Sequence, residues 1–121
     1  DNSWIASDIE LNEREETLKV THENYDNEQN IVLFQNSPNP MRTNTEIKFE
    51  VKKAVVCELN VYNVKGEKVA NLFNDNVQND EVVTVSWNGK DNNGRDVVAG
   101  FYLYKIKAGR YTSTKKMILM K

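Results

Sequence analysis

A chain of 121 residues with a net charge near −2 has the length of one ordinary domain: room for one sandwich-sized core and too little for two. Hydrophobic residues make up 39% and charged residues 28%, and no apolar run nears the roughly 20 residues that a membrane-crossing helix needs. The near-neutral balance gives no global attraction to nucleic acid, and with one cysteine, Cys57, and one histidine, His22, there is neither an internal disulfide nor a zinc site of the Cys/His type.

The charge is unevenly divided. Residues 1–30 hold nine acids against Arg14 and Lys19, a net of −7, while residues 31–121 hold nine acids and fourteen bases, a net of +5. That shift marks 1–30 as an acidic linker or the tail of an upstream domain, and 31–121 as the compact unit. The opening residues have neither the basic start nor the apolar stretch of a signal peptide. Ser7-Asp8-Ile9-Glu10 has the spacing of a helix capping box, whereas Leu18, Val20 and His22 alternate as a strand would, and both readings stay open.

From residue 31 the apolar positions recur every second residue, the period of antiparallel strands with one face buried. Ile31 to Gln35 reads as a first strand. Thr45, Ile47, Phe49 and Val51 then alternate with polar neighbours, followed by Val55, Cys57, Leu59 and Val61. Val64-Lys65-Gly66-Glu67 is a tight turn in which Gly66 can supply a positive φ, and Lys68 to Phe73 is the returning strand. Val83, Val85 and Trp87 form the next run, closed by Asn88-Gly89 and Asn93-Gly94, where a hairpin is expected. Tyr102, Tyr104 and Ile106 lead through Ala108-Gly109-Arg110 to a last strand, Tyr111 to Met120. About seven short strands without a competing helix predict an all-β, immunoglobulin-like antiparallel sandwich, with Phe49, Trp87, Tyr102 and Tyr104 as its large core pieces.

Catalysis lacks its parts. A nucleophile needs a base beside it, and the single histidine lies in the acidic segment. Cys57 falls on the inward side of its strand, where a small buried thiol is the common outcome. Asp91-Asn92-Asn93-Gly94-Arg95-Asp96 is rich in oxygen but lacks the spacing and terminal Glu of a calcium loop, so it reads as a turn. No metal and no cofactor are expected. Lys105, Lys107, Arg110, Lys115, Lys116 and Lys121 collect toward the end of the chain, either as a docking patch or as lysines that keep a strand edge from aggregating. Aromatic residues do not interleave with these bases as single-stranded nucleic acid would require.

Three longer patterns carry more. Leu33-Phe34-Gln35-Asn36-Ser37-Pro38-Asn39-Pro40 precedes Thr45-x-Ile47-x-Phe49, and Leu59-x-Val61-Tyr62-Asn63-x-x-Gly66-x-x-Val69 follows. The third is Trp87-x-Gly89-x-Asp91-x-x-Gly94-x-x-Val97-x-x-Gly100-x-Tyr102-x-Tyr104, closing with Lys116-Met117-x-Leu119-x-Lys121. In that order, over residues 31–121, they resemble the C-terminal sorting domain of type IX secretion cargo (the Por secretion tail), a family related to FlgD-like Ig-like domains. Two departures stand out: Met41 where the family usually has an aromatic, and Asp80-Glu81 where it usually has Gly.

The resemblance implies a non-enzymatic address label that directs a larger cargo of a Bacteroidota-type bacterium across the outer membrane. The partners it implies are the translocon, a sortase-like protease cutting in the upstream linker, and the cargo domain itself. The cargo would pass through the periplasm and then be released or joined to anionic lipopolysaccharide at the cell surface. The motif residues are Pro38, Asn39, Pro40, Tyr62, Gly66, Val69, Gly94, Gly100 and Tyr102. Lys115, Lys116 and Lys121 are expected to present the last strand for charge pairing and strand addition. Each motif also has a structural job: the prolines fix a rigid turn, Gly66 and Gly94 serve turns, and Gly100 is expected to let the backbone pass close to a neighbour. A monomer is expected. The alternative reading is a structural, adhesive or carbohydrate-binding Ig-like module.

Overall fold

The computed structural model describes residues 31–121. Seven strands follow in order: β1 (Ile31–Leu33), β2 (Thr45–Val51), β3 (Val55–Tyr62), β4 (Lys68–Val77), β5 (Glu81–Trp87), β6 (Gly100–Ala108) and β7 (Tyr111–Leu119). Every pairing is antiparallel, in a three-stranded sheet β1-β2-β5 and a four-stranded sheet β4-β3-β6-β7. This is the immunoglobulin-like sandwich expected from the alternation. The readings made for residues 1–30, including His22 and the linker, lie outside the described residues.

The period-two pattern places the core directly. Ile47, Phe49 and Val51 of β2 and Cys57, Leu59 and Val61 of β3 turn inward and are fully buried, as are Trp87, Tyr104, Ile106, Met117 and Leu119. Phe49 reaches across the gap to Phe73 edge-to-face, with centroids 5.5 Å apart, and Trp87 meets Tyr102 in the same manner at 5.5 Å. Burial pushes the Cys57 thiol up to about 11, which leaves it protonated and unreactive at neutral pH.

β4 breaks strict alternation, because apolar Val69-Ala70 and Leu72-Phe73 are each adjacent in sequence. Two register shifts against β3 resolve this, since the partners step from Leu59↔Phe73 to Asn60↔Asn71 and from Val61↔Ala70 to Tyr62↔Lys68. The extra residues, Leu72 and Val69, thereby turn toward the core instead of out to water.

Two strand readings need correction. β1 stops at Leu33 and not at Gln35, because Gln35 turns its side chain to the Lys116 carbonyl and the Asn36 N–H turns to the Tyr104 hydroxyl. The turns after Trp87 do form a small hairpin, with Lys90 opposite Asp96. It does not join neighbouring strands, however: β5 pairs with β2 and β6 with β3 and β7, so the 88–99 segment is a crossover between sheets.

Candidate functional site

The registers bring one end of every long strand together. Thr45 opposes Trp87, Tyr62 opposes both Lys68 and Leu103, and Gly100 opposes Leu119. One end of the sandwich is therefore built from the 34–44 segment, the 63–67 turn, the 88–99 crossover and the last residues of the chain. Most of the motif residues singled out by sequence gather there.

The Pro38-Asn39-Pro40 segment laces the two sheets together. On one side Ser37 exchanges two main-chain bonds with Glu46 of β2, at 3.0 and 2.9 Å. On the other, the Met41 N–H donates to the Ile118 carbonyl and the Met120 N–H to the Met41 carbonyl, both at 2.8 Å, while Asn39 Oδ1 accepts the Ile118 N–H at 3.0 Å. Ser37-Pro38 and Asn39-Pro40 are both cis. Met41, in the position where an aromatic is usual, is fully buried, and its side chain lies against Gly89.

Behind this segment lies a buried polar knot. The Tyr104 hydroxyl donates to the Phe34 carbonyl at 2.7 Å and accepts the Asn36 N–H at 2.8 Å. Asn36 Nδ2 donates to Thr45 Oγ1 and the Pro38 carbonyl, and the Thr45 hydroxyl donates to that same carbonyl at 2.8 Å. Asn36 and Thr45 are buried, and among the described residues every buried side-chain N or O atom has a partner. The sequence places Thr45 on the inward face of its strand and Asn36 only within a motif. A polar residue at an inward strand position, as Thr45 is, was the available signal.

The 63–67 and 91–95 turns share one construction. The Asn63 N–H donates to the Glu67 carbonyl, the Gly66 N–H to the Asn63 carbonyl, and Asn63 Oδ1 accepts the N–H groups of Lys65 and Glu67. Asp91 does the same with Arg95, Gly94 and Asn93. Gly66 at φ 88° and Gly94 at φ 80° occupy the left-handed position that each turn requires. Asp91 Oδ1 is thus engaged by amides, as the turn reading expected, and no cluster suited to a metal ion occurs among the described residues.

Gly100 departs from expectation. A Cβ there would meet nothing within 4 Å, so no neighbour passes closely; what calls for glycine is its φ of 147°. Tyr62 is half-buried at the end of β3, and Val69, on β4, accepts the Asn92 N–H through its carbonyl at 3.0 Å. The Tyr102 hydroxyl donates to the Val98 carbonyl at 2.6 Å, and burial raises its pKa.

Between the two turns lies a groove of about 730 Å³, lined among others by Val64, Val69, Val97, Val98, Phe101 and Tyr102. Val98 is 79% exposed, Val64 58% and Phe101 51%, a concentration of open apolar surface on this end. The sequence places Val64 only in a turn and gives Val98 and Phe101 no role. Phe101 shares the outward parity of Lys105 and Lys107 on β6, and that parity was the clue.

The lysines do not form one patch. Lys115 shares the inward parity of Met117 and Leu119, while Lys116 faces outward with its Nζ 5.0 Å from the Phe101 ring centroid. Lys121 lies beyond β7, where together with the closer Lys90 it holds the Asp96 carboxyl below its usual range. Strand addition along the last part of β7 meets an obstacle: Gln35, Asn39 and Met41 already bond to its outer edge from Lys116 to Met120.

Residues 37–120, which span both sheets, match the family described as the secretion system C-terminal sorting domain. The chain belongs to that family. Two solved structures share the sorting domain's fold. Dimeric latent PorU from Porphyromonas gingivalis superposes with a TM-score of 0.59 at 21% identity, covering 74% of this chain and 9% of that one. PorZ, described as an essential bacterial surface component of the type-IX secretion system of P. gingivalis, gives 0.51 at 15% identity, covering 74% and 11%. The chain therefore spans about a tenth of the length of these neighbours. No curated protein matches it.

Proposed function

We propose that this sorting domain is the non-catalytic signal by which a larger cargo crosses the outer membrane through a type IX secretion system. The observation that carries this reading is the family match over residues 37–120. A sortase-like protease would cut within the acidic residues 1–30, whose composition suits the extended, unpacked backbone that a protease needs. The cargo would then be released or joined to anionic lipopolysaccharide at the surface.

The surface that the export machinery reads is the motif-bearing end of the sandwich, centred on the groove beside Val64, Val98 and Phe101, with Lys116 and Lys121 supplying positive charge. The turn atoms of Asn63 and Asp91 are used within the fold, whereas Val98 and Phe101 present exposed apolar surface to a partner.

Fusing residues 1–121 to the C-terminus of an exported reporter, in hosts with and without a working type IX system, tests the function. The reporter should reach the surface or medium, trimmed, in the competent host alone. Periplasmic accumulation in both hosts would instead favour a structural or adhesive module. Val98→Asp and Phe101→Asp, at exposed positions, should reduce export without altering the fold. The triple replacement of Lys115, Lys116 and Lys121 by Ala tests the charges separately.

A further inference from the structure

Among the described residues four strands lie at sheet edges, and three of those edges are obstructed. β7 is bonded from Lys116 to Met120 by Gln35, Asn39 and Met41. β4 carries two register irregularities, and Asn92 takes its Val69 carbonyl and Asn71 N–H. β1 is three residues long. These are the devices by which sheets avoid pairing with foreign strands.

β5 has none of them. It runs seven residues, Glu-Val-Val-Thr-Val-Ser-Trp, in unbroken register with β2, with no proline or lysine and its one charge at the first position. Glu46 and Lys48 direct their main-chain groups to the β1 side, where they bond Ser37 and Phe34. Ile47 and Phe49 therefore face β5 and are answered by Val85 and Val83. Val82, Thr84 and Ser86 consequently point their N–H and C=O groups away from the sheet, and none of these groups is bonded to another main-chain group of the described residues.

We propose that β5 pairs antiparallel with β5 of a second copy, about a two-fold axis through Thr84. The edge is self-complementary in that register. Thr84 opposes its own equivalent and Val82 opposes Ser86, which gives about six main-chain hydrogen bonds in closely spaced pairs. Val83 opposes Val85 on the core side, where both are half-buried at the sheet margin. Glu81 opposes Trp87, so no like charges within the strand face each other. The two three-stranded sheets become one of six, with Thr–Thr and β-branched cross-strand pairs of the favourable kind. An edge of this length buries well under the roughly 1,600 Å² of a stable interface, so the association is weak and set by concentration. It departs from the monomer expected from sequence and rests on the sheet geometry alone, independently of the sorting role.

Sedimentation equilibrium of the full 121-residue chain across micromolar to millimolar concentrations tests this. The mean mass should climb from one copy toward two. Thr84→Lys and Thr84→Glu each place like charges on the axis at an exposed position and should weaken association at least tenfold, with an unchanged circular dichroism spectrum. An equimolar mixture of the two should restore it. Val56→Lys, on an exposed residue of β3, serves as a control and should associate as the parent does. A parent chain that remains single at every concentration overturns the proposal and leaves the edge to a strand of another protein. So does association that survives Thr84→Lys, or a mixture that stays single.

Discussion

Replacing Tyr104 by Phe removes one oxygen from the middle of the sandwich and leaves the ring's packing in place. Two groups then lose their partner: the Asn36 N–H, on a residue that is 3% exposed, and the Phe34 carbonyl, nearer the surface. A buried polar group left unbonded costs about 1–3 kcal/mol. The carbonyl falls at the low end because water can reach it, so the pair amounts to about 2–4 kcal/mol. Small domains have about 5–15 kcal/mol in all, and at about 4–8 °C per kcal/mol the melting temperature should fall by about 10–25 °C. Urea titration followed by circular dichroism gives the comparison. Tyr102→Phe is the matched control, since its hydroxyl bonds only the carbonyl of the exposed Val98 and its loss should cost about 1 kcal/mol or less. Equal stability of the two variants would refute the reasoning. A pH signature accompanies it. Burial raises the Tyr104 pKa and outweighs the Asn36 hydrogen bond, which lowers it. Above about pH 10 the unfolded phenol loses its proton while the folded one keeps it, so stability falls as pH rises, by up to about 1.4 kcal/mol per unit for this group. Tyr104→Phe should remove that share of the slope and leave the smaller share from Tyr102, which burial shifts the same way.

Asp80 is a non-glycine residue at φ 57°, so Asp80→Gly should stabilise the fold by up to about 1 kcal/mol in the same urea titration. Gly100→Ala meets no steric obstacle and should nevertheless lose about 1–3 kcal/mol through its φ alone; a loss near zero would show that the backbone relaxes there. Asn39→Ala removes the acceptor of the Ile118 N–H and should cost about 1 kcal/mol, whereas Asn39→Asp keeps an oxygen there and should lose less. Cys57 should resist a thiol reagent at pH 8 in the native state and react at once in guanidinium, as measured by the mass of the adduct.

The sandwich was legible because strand parity is a local property: Phe49, Trp87 and Tyr104 could be placed inward from their own neighbours in sequence, and all three are buried. Turn chemistry was legible for the same reason, as Gly66 and Gly94 show, and the departure at Asp80-Glu81 fell where the backbone does take a positive φ. What could not be read were contacts joining distant parts of the chain. The bond between Asn39 and Ile118 spans 79 positions, and that between Tyr104 and Phe34 spans 70. No spacing rule anticipates such pairs, so parity alone makes the last strand read as an open edge. The small hairpin after Trp87 misled in the same way, since its turn is local while the choice of sheet for β6 is not.

These long-range bonds also sort the motif into what folds and what is left for a partner. Asn39, Asn63, Asp91, Tyr102 and Tyr104 each direct their polar atoms to the chain's own backbone. A receptor bonding to those atoms would first have to break the contacts that form this end of the sandwich, at a cost comparable to the stability of a small domain if several were involved. The side chains displayed beside them engage no main-chain group in these bonds: Val98 is 79% exposed, and Phe101 keeps half its surface open with Lys116 Nζ over its ring. On the proposed function, the motif is then a scaffold whose product is a surface, and the exposed residues beside it, not the motif atoms, are the ones expected to meet the partner. On that basis Val98→Asp should impair export at least as severely as Asn39→Asp while disturbing stability less, and the reverse order would mean that the motif atoms themselves are read.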